Sequence, residues 1–564
     1  MASTAPATKE VPQGFVLHSE NSSHILLDTN AAFLNPVQEF NRDLSVACIR
    51  TFGDETNRAK EAKWKEKQER RRRAALKETA NVPGDDEAPA AKRVRVYNSD
   101  PAKMEADTST SQDAADSAHY QPYRFTILEA LSATGLRSIR YAKEIPLLKY
   151  VIANDLSPAA VEAMHRNVEV WKGPDGQMKT IPAKVRVNEG DAISLMYSHR
   201  EEKDHVDVVD LDPYGTAAPF IDPAIQCVKD GGLLCVTCTD LAVLATNNYP
   251  EKWQALRLLL HTLATSAARY GKYITPLLSL SIDFYIRVFV RVDTQPAEVK
   301  KLLSKTSVVH VCTNCQSFYN QPLGRIVEKK SEKSGHITYL NRTNQNVVPE
   351  RCQECESPLH VAGPMWNGPI HNPDFVGKVL GHLENNTDLY GTATRMKGML
   401  TVAKEELDTL FYFVPSKIAG HFHCQTPSLE EIASALLNKG FKVSRSHASP
   451  GSLKTNASNR EIHDAYRSYI KTNPVRTEKL AETSYTMRLL KKEAETEFDF
   501  TKHPDAALLS NVKLVRYQEN PAANWGPGKK ATGKIGTSNE KANANLKRKR
   551  EEDAMAIDGK ADKL

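Results

Sequence analysis

Val206 to Leu211 is a mostly apolar run, and Asp212-Pro213-Tyr214-Gly215 ends it abruptly. A run of this kind, rich in β-branched residues, predicts a buried strand. Proline and glycine then force a turn. In an open α/β sheet, ligands bind just beyond such strand ends. The turn therefore delivers a carboxylate (Asp212), a backbone carbonyl (Pro213) and an aromatic ring (Tyr214) to one crevice. That set suits gripping the exocyclic amine of a flat base while the amine is attacked. The plainer alternative is that Asp212-Pro213 only turns the chain. Asp207, Asp210 and Asp212 all crowd this apolar segment, at a desolvation cost that a mere turn does not require.

The flanking sequence alternates strand and helix. Strands are predicted at Phe125–Glu129, Tyr150–Ala153, Val185–Asn188, Val206–Leu211 and Leu233–Thr237. Helices are predicted at Leu136–Glu144, Pro158–Trp171, Phe220–Val228 and Trp253–Ala268. Such alternation means a parallel sheet with helices on both faces. Ile274–Leu280 and Phe284–Val292 follow without a helix between them, which predicts an antiparallel edge. Further on, a helix at Ser428–Lys439 and a strand at Phe441–Ser446 resemble part of a winged-helix module.

Glu129 to Arg137 forms the first strand–helix turn and holds one glycine, Gly135. A dinucleotide site would need G-x-G-x-x-G there to approach a pyrophosphate. S-adenosylmethionine has no phosphate and needs less of a backbone cradle. Asp155 lies 20 residues beyond Gly135, at the next strand end, where a carboxylate can accept from ribose hydroxyls. Asp191-Ala192 ends the third strand and is placed for the adenine edge. Each acid taken alone also suits a helix N-cap. Three in order at successive strand ends favour a cofactor.

Cys312-Thr-Asn-Cys315 and Cys352-Gln-Glu-Cys355 are two C-x-x-C pairs with 36 residues between them. Two such knuckles supply four thiolates to a tetrahedral zinc, and four thiolates leave no open position for catalysis. Reduced core cysteines or a redox pair are the alternatives. Cys227, Cys235 and Cys238 read as core packing, and Cys48 and Cys424 carry no metal signal.

The chain has 564 residues, too many for one core. Its net charge of +6 is small, but basic runs stand at Arg70–Arg73, Lys92–Arg95 and Lys547–Arg550. These suit nucleic acid or nuclear import, or are plain solvated charge. No stretch of about 18 apolar residues is free of charge, so no membrane span is expected. No apolar signal-peptide core is expected at the N-terminus, and the nine cysteines of the chain are expected in a reducing compartment. Residues 54–119 and the tail beyond about Asn520 hold too little apolar surface to offset their ordering entropy. They read as disordered, with Arg58–Leu76 as a charged helix.

Several segments together resemble the tRNA guanine-26 N2-dimethyltransferases: Phe33-Leu-Asn-Pro36, Asn41-Arg-Asp43, Leu128–Arg140, Asn154–Pro158, Gly190-Asp-Ala192 and Asp210–Gly215. Gly363-Pro-Met-Trp366 with Gly368-Pro369, Ser446-His447-Ala448 and Lys454-Thr455-Asn456 extend the likeness. Leu34 and Tyr214 depart from the usual tyrosine and phenylalanine, and the insertion at 54–119 is a larger departure. The resemblance implies an α/β fold with a Rossmann-like class I methyltransferase sheet and an α+β C-terminal domain carrying a zinc ribbon. It implies transfer of two methyl groups from S-adenosylmethionine to the N2 amine of guanine 26 in tRNA. Motif chemistry alone does not fix one methyl or two.

By position, the resemblance makes Arg42, Arg137, Asp155, Asp191 and Ala192 the cofactor residues. Asp212, with Pro213 and Tyr214, would act on the base, and structural zinc would sit on Cys312, Cys315, Cys352 and Cys355. Arg42 and Arg137 would hold the cofactor's carboxylate through paired hydrogen bonds. The expected organisation is an N-terminal methyltransferase segment (1–53), a charged insertion (54–119) and a catalytic domain (120–307). A zinc module (308–362), a tRNA-binding domain (363–500) and a basic tail (501–564) follow. The expected location is the nucleus, with mitochondrion and cytoplasm as further compartments; oligomeric state is left open. Methylation of another RNA base, or a non-catalytic zinc-ribbon RNA-binding protein, are the competing readings.

Overall fold

The computed structural model describes residues 13–28, 34, 38–80, 119–169, 184–240, 251–282, 285–312, 314–345, 347–478 and 480–508. Phe33, Asn35, Pro36, Trp171, Phe284, the basic runs Lys92–Arg95 and Lys547–Arg550, and the tail from Asn520 lie outside them. Two compact units result: Met1–Thr51 with Phe125–Leu564, and Phe52–Arg124.

In the larger unit, strands β1 (Phe15–Glu20) and β2 (Ser23–Asp28) form a hairpin, and α1 (Glu39–Ala80) begins beside them in sequence. Then come β3 (Phe125–Glu129), α2 (Leu136–Glu144), β4 (Leu148–Asp155), α3 (Pro158–Glu169), β5 (Val185–Glu189), α4 (Ala192–Ser198), β6 (Val206–Leu211) and α5 (Ala218–Cys227). Strand β7 (Val228–Cys238), helix α6 (Glu251–Ala268) and strands β8 (Lys272–Ile282) and β9 (Tyr285–Thr294) complete the sheet. The seven strands run β5-β4-β3-β6-β7-β9-β8. All central pairs are parallel, and β9 is antiparallel to both neighbours. The expected antiparallel edge is thus refined. The reversed strand is second from the edge, because β9 inserts between β7 and β8 instead of adding outside β8.

Strand order reverses between β3 and β6, and a ligand crevice opens at the carboxyl ends of these two strands. Strand β6 is buried along its whole length, as its apolar run predicts. Asp207 is satisfied within the fold: its Oδ2 accepts from Thr126 N at 2.8 Å and from Lys229 Nζ at 3.2 Å.

Strands β10 (Thr306–Val311), β11 (Phe318–Pro322), β12 (Gly324–Lys330), β13 (Ile337–Thr343) and β14 (His360–Trp366) follow. Of these, β11-β10-β14 form one sheet and β12-β13 a separate ribbon. Helices α7 (Pro373–Glu384), α8 (Ala393–Glu405), α9 (Pro415–Phe422) and α10 (Leu429–Asn438), strands β15 (Val443–Arg445) and β16 (Leu453–Thr455), and helix α11 (Asn459–Thr472) build the C-terminal part. Ser428 caps α10 with a full capping box, and β15 pairs with β16 as a short wing.

One apolar core joins sheet and C-terminal part: Val236 and Leu260 share it with Met365, Trp366 and Phe411. Arg257 of α6 is buried at that seam and donates to the carbonyls of Trp366 (2.9 Å), Gly368 (3.0 Å) and Leu410 (3.1 Å). A Cβ on Gly368 would lie 2.9 Å from the Trp366 ring, so that position admits only glycine. The Gly-Pro-Met-Trp motif is therefore a seam.

The smaller unit contains the exposed stretch of α1 beyond Thr51. The charged helix expected at Arg58–Leu76 is part of this 42-residue element, so the opening of the 54–119 segment is helical rather than disordered. Ion pairs such as Glu61–Lys65 at 2.7 Å support its exposed surface. Tyr120 returns against it, with its hydroxyl 2.7 Å from Asn57 Oδ1 and its ring 6.0 Å from that of Trp64.

Candidate active site

The crevice floor is held by one side chain at the junction of three strands. Asn154 Nδ2 donates to the carbonyls of Ala130 (2.9 Å, after β3) and Gly190 (3.0 Å, after β5), while its Oδ1 accepts from Asn188 at 2.7 Å. The β3–α2 turn is tight. Ala133 has φ 46° and Gly135 φ 76°, both left-handed. A Cβ on Gly135 would stand 3.0 Å from Met164 Cγ, so glycine is needed for conformation and for space. Asp155 ends β4 and braces that turn, with Oδ2 accepting from Ala133 N at 2.9 Å and Oδ1 from Ser157 N at 2.9 Å.

Asp191 caps α4, accepting from Ser194 N at 2.9 Å and Ser194 Oγ at 2.8 Å. Ser194 holds its exposed carboxyl below the ordinary range. Ala192 is buried behind it. The N-cap alternative therefore describes the geometry of Asp191, and its exposure leaves lone pairs for a ligand. The donor set fits a hydroxyl-rich, phosphate-free cofactor: half-buried and exposed carboxylates, with a single tight glycine turn.

Under the Asp212–Gly215 turn runs a buried ion network. Arg137 Nη2 bonds Asp212 Oδ2, and its Nη1 lies 3.4 Å from Asp210. Arg287 of β9 binds the other side of Asp210 at 2.7 Å and donates to Thr237 Oγ1 at 2.9 Å and Ser45 Oγ at 2.8 Å. Tyr141 donates to Asp210 as well. Burial alone would raise the Asp210 carboxyl, but Arg287 and Arg137 outweigh it and hold it below the usual range. Glu129 goes the other way: burial outweighs Arg137 and pushes its carboxyl up to about 8.

Asp212 is 19% exposed, and Asn41 Nδ2 also reaches its Oδ2 at 3.4 Å. Both contacts use Oδ2; among the described residues Oδ1 has no hydrogen-bond partner. Gly215 (φ 98°) donates to Thr239 Oγ1 at 2.7 Å and accepts from Thr239 N at 3.0 Å, which pins the turn to the end of β7. Pro213 is buried, whereas 75% of the Tyr214 surface is exposed at the rim. Asp155 ends β4 and the Asp212–Gly215 turn follows β6, so both stand along the carboxyl-end edge of the parallel sheet.

Arg42 is buried in α1, where Nε donates to Glu20 Oε2 at 2.7 Å. Glu20 also meets Arg140 at 3.3 Å, and Arg140 meets Asp43 at 2.6 Å. Both arginines expected at the cofactor carboxylate thus have carboxylate partners within the chain. Sequence reasoning missed Glu20, Asn41, Asn154, Arg257 and Arg287 as organisers. A charge inside an apolar strand, as at Arg287, is the signal that finds such a network.

The four cysteines converge. Their Sγ atoms lie within 4.8 Å of one another, with Cys312–Cys355 at 3.4 Å and Cys315–Cys352 at 3.3 Å. These spacings exceed a disulfide bond of about 2.05 Å. They approach the edge of about 3.8 Å of a tetrahedron with metal–sulfur bonds of about 2.3 Å. The two knuckles repeat each other: Gln316 (φ 63°) and Glu356 (φ 60°) are left-handed, and Cys312 N and Cys352 N donate to Ser317 O and Ser357 O at 2.8 and 2.9 Å. The donor set fits zinc.

His371, Glu406 and His447 also cluster. Ser279 N donates to His371 Nδ1 at 3.4 Å and Ser281 N to His447 Nε2 at 3.2 Å. Each ring's remaining N–H therefore points at Glu406, at 3.2 and 2.6 Å, where a metal would need lone pairs. Lys454 stands 3.7 Å from the same carboxylate. The Ser-His-Ala and Lys-Thr-Asn motifs thus tie β8 to the C-terminal part.

The chain matches the family described as N2,N2-dimethylguanosine tRNA methyltransferase over residues 15–254 and 251–467. It is 41% identical to the tRNA (guanine(26)-N(2))-dimethyltransferase of Schizosaccharomyces pombe, over 89% of this chain and 90% of the relative. The Saccharomyces cerevisiae enzyme of that name, described as mitochondrial, is 40% identical over 91% and 92%. The Homo sapiens enzyme is 38% identical over 89% and 75%. In fold, the chain is similar to Trm1 from Pyrococcus horikoshii in complex with S-adenosyl-L-methionine. The TM-score is 0.55 and the identity 22%, over 81% of this chain and 99% of that one.

Proposed function

The chain belongs to the N2,N2-dimethylguanosine tRNA methyltransferase family, and we propose from this premise how its crevice works. It is a tRNA (guanine-26-N2)-dimethyltransferase that uses S-adenosylmethionine and places two methyl groups on one exocyclic amine. The observation that carries the site assignment is Asp212: one oxygen is anchored by Arg137, and the other has no hydrogen-bond partner among the described residues, next to Pro213 in the turn.

A guanine N2 amine is a poor nucleophile because its lone pair is delocalised into the ring. Asp212 Oδ1 and the Pro213 carbonyl accept its two N–H bonds, bias the nitrogen toward tetrahedral geometry and aim the lone pair. The nitrogen becomes acidic as the new bond forms, so Asp212 suffices as proton acceptor, directly or through water. Tyr214 stacks on the base, which must leave the helix stack to enter. S-adenosylmethionine supplies an electrophilic methyl on its sulfonium when bound. Asp155 and Asp191 would hold its ribose and adenine edge, with Ala192 behind the ring, and Arg42 and Arg137 would form the positive end. Cys312, Cys315, Cys352 and Cys355 would hold a structural zinc, and residues 363–500 would contact tRNA. Among the described residues no helix is long and apolar enough to cross a membrane. The basic runs suit nuclear import, and a mitochondrial form is compatible with the yeast relative.

The test is methyl transfer to two unmodified transcripts, one with guanine and one with adenine at position 26. Label should enter only the first. Equal labelling of both would overturn the site of action.

A further inference from the structure

The β12–β13 ribbon is inserted between the two cysteine knuckles, and its two faces differ. On one face, Tyr339 is half-buried with Lys301 Nζ 3.9 Å from its ring centre, and Asn341 donates to the Lys300 carbonyl. Glu328, opposite Tyr339, shares that anchored face. The other face carries Arg325, directly opposite Arg342, and Lys329 two pairs further along. All three are exposed. No acidic residue shares their face, and among the described residues none of them forms an ion pair.

Like charges directly opposite each other destabilise a two-stranded ribbon. The anchored face holds the ribbon in place, and an anion meeting the outer face offsets the repulsion between its cations. Arg325 and Arg342 stand directly opposite each other on strands whose backbones run about 5 Å apart, and together they offer two planar forks of the kind that pair with phosphate. The ribbon follows β10–β11, which pack into the core shared with the sheet, so it is mounted on the body that carries the crevice.

We propose that the outer face of β12–β13, through Arg325, Arg342 and Lys329, contacts the sugar-phosphate backbone of the tRNA substrate outside the guanine pocket. The proposal rests on the tRNA reading above. Contacts of this kind position a nucleic acid without reading its sequence.

The test uses the full chain with an unmodified tRNA transcript. In Arg325→Glu/Arg342→Glu, the KM for tRNA should rise roughly tenfold or more, with kcat and S-adenosylmethionine affinity unchanged. The slope of log Kd against log salt should fall by about 2. In Arg325→Lys/Arg342→Lys, which keeps the charge, the slope should stay at the parent value. Unchanged KM and slope in the Glu variant, with an active parent, would overturn the ribbon contact alone. A parent that binds S-adenosylmethionine but methylates no tRNA would overturn both readings. Loss of kcat and cofactor affinity in the Lys variant would show the ribbon to be structural and overturn the proposal.

Discussion

Arg137 bonds Asp212 directly, and the same guanidinium lies 3.4 Å from Asp210 and 3.5 Å from Glu129. One buried cation therefore orients the carboxylate of the turn, and it rests on Asp210, which Arg287 grips from the other side at 2.7 Å. The position of Asp212 is set from beneath, by a buried guanidinium and the acid that holds it.

Asp212→Ala is expected to fold and to bind S-adenosylmethionine as the parent does, because Arg137 keeps Asp210 and Glu129 as partners. Its kcat should fall about 10²–10⁴-fold, the usual contribution of a positioned acceptor. Single-turnover methyl transfer with saturating tRNA checks this; a parental rate would remove Asp212 from the reaction.

Asp210→Asn tests the supporting layer. Asp210 and Arg287 are both wholly buried, so deleting the acid leaves a cation without its counter-charge. The expected loss is about 3–5 kcal/mol of stability. Denaturant titration measures it, and an unchanged midpoint would show that the network carries no stability.

Legibility divides along a physical line. Local pattern found strand β6 and helix α2 to the residue, and the spacing of Cys312, Cys315, Cys352 and Cys355 found the cluster, because period and short-range spacing are written in consecutive residues. The partners of Arg42 and Arg137 were not legible. Glu20 is 22 residues from Arg42, and Asp212 is 75 from Arg137. Only the folded sheet brings them together. The place of β9 inside the sheet likewise follows from pairing between strands and not from the hairpin's own sequence.

Glu20 makes the fold acid-sensitive. Burial alone would raise its carboxyl, but His18, Arg42 and Arg140 outweigh this and hold it at about 2, against an ordinary 4.5. Between pH 4.5 and 2 the unfolded chain therefore takes up a proton that the native chain refuses. Stability from this group is full above that window and lost as pH falls through it, by on the order of 3 kcal/mol. Glu20→Gln should be less stable near neutrality and lose less on acidification. Parallel pH–stability curves for variant and parent would contradict the assignment.

Cys312→Ser should release zinc, and the damage should fall on the C-terminal part. The four cysteines share a core with Phe413, Ile418 and Phe422, so the helices around them lose their packing together. Metal analysis should read about one zinc per parent chain and much less in the variant, and tRNA binding should weaken more than cofactor binding. Equal metal content would refute the site.

The most direct test is mass spectrometry of nucleosides from unmodified tRNA incubated with the purified chain and S-adenosylmethionine. N2,N2-dimethylguanosine from the parent, and an initial rate of formation at least about a hundredfold lower from Asp212→Ala, is the predicted result. A parent that binds the cofactor yet yields no methylated guanosine, or an Asp212→Ala chain that yields as much as the parent, would contradict it.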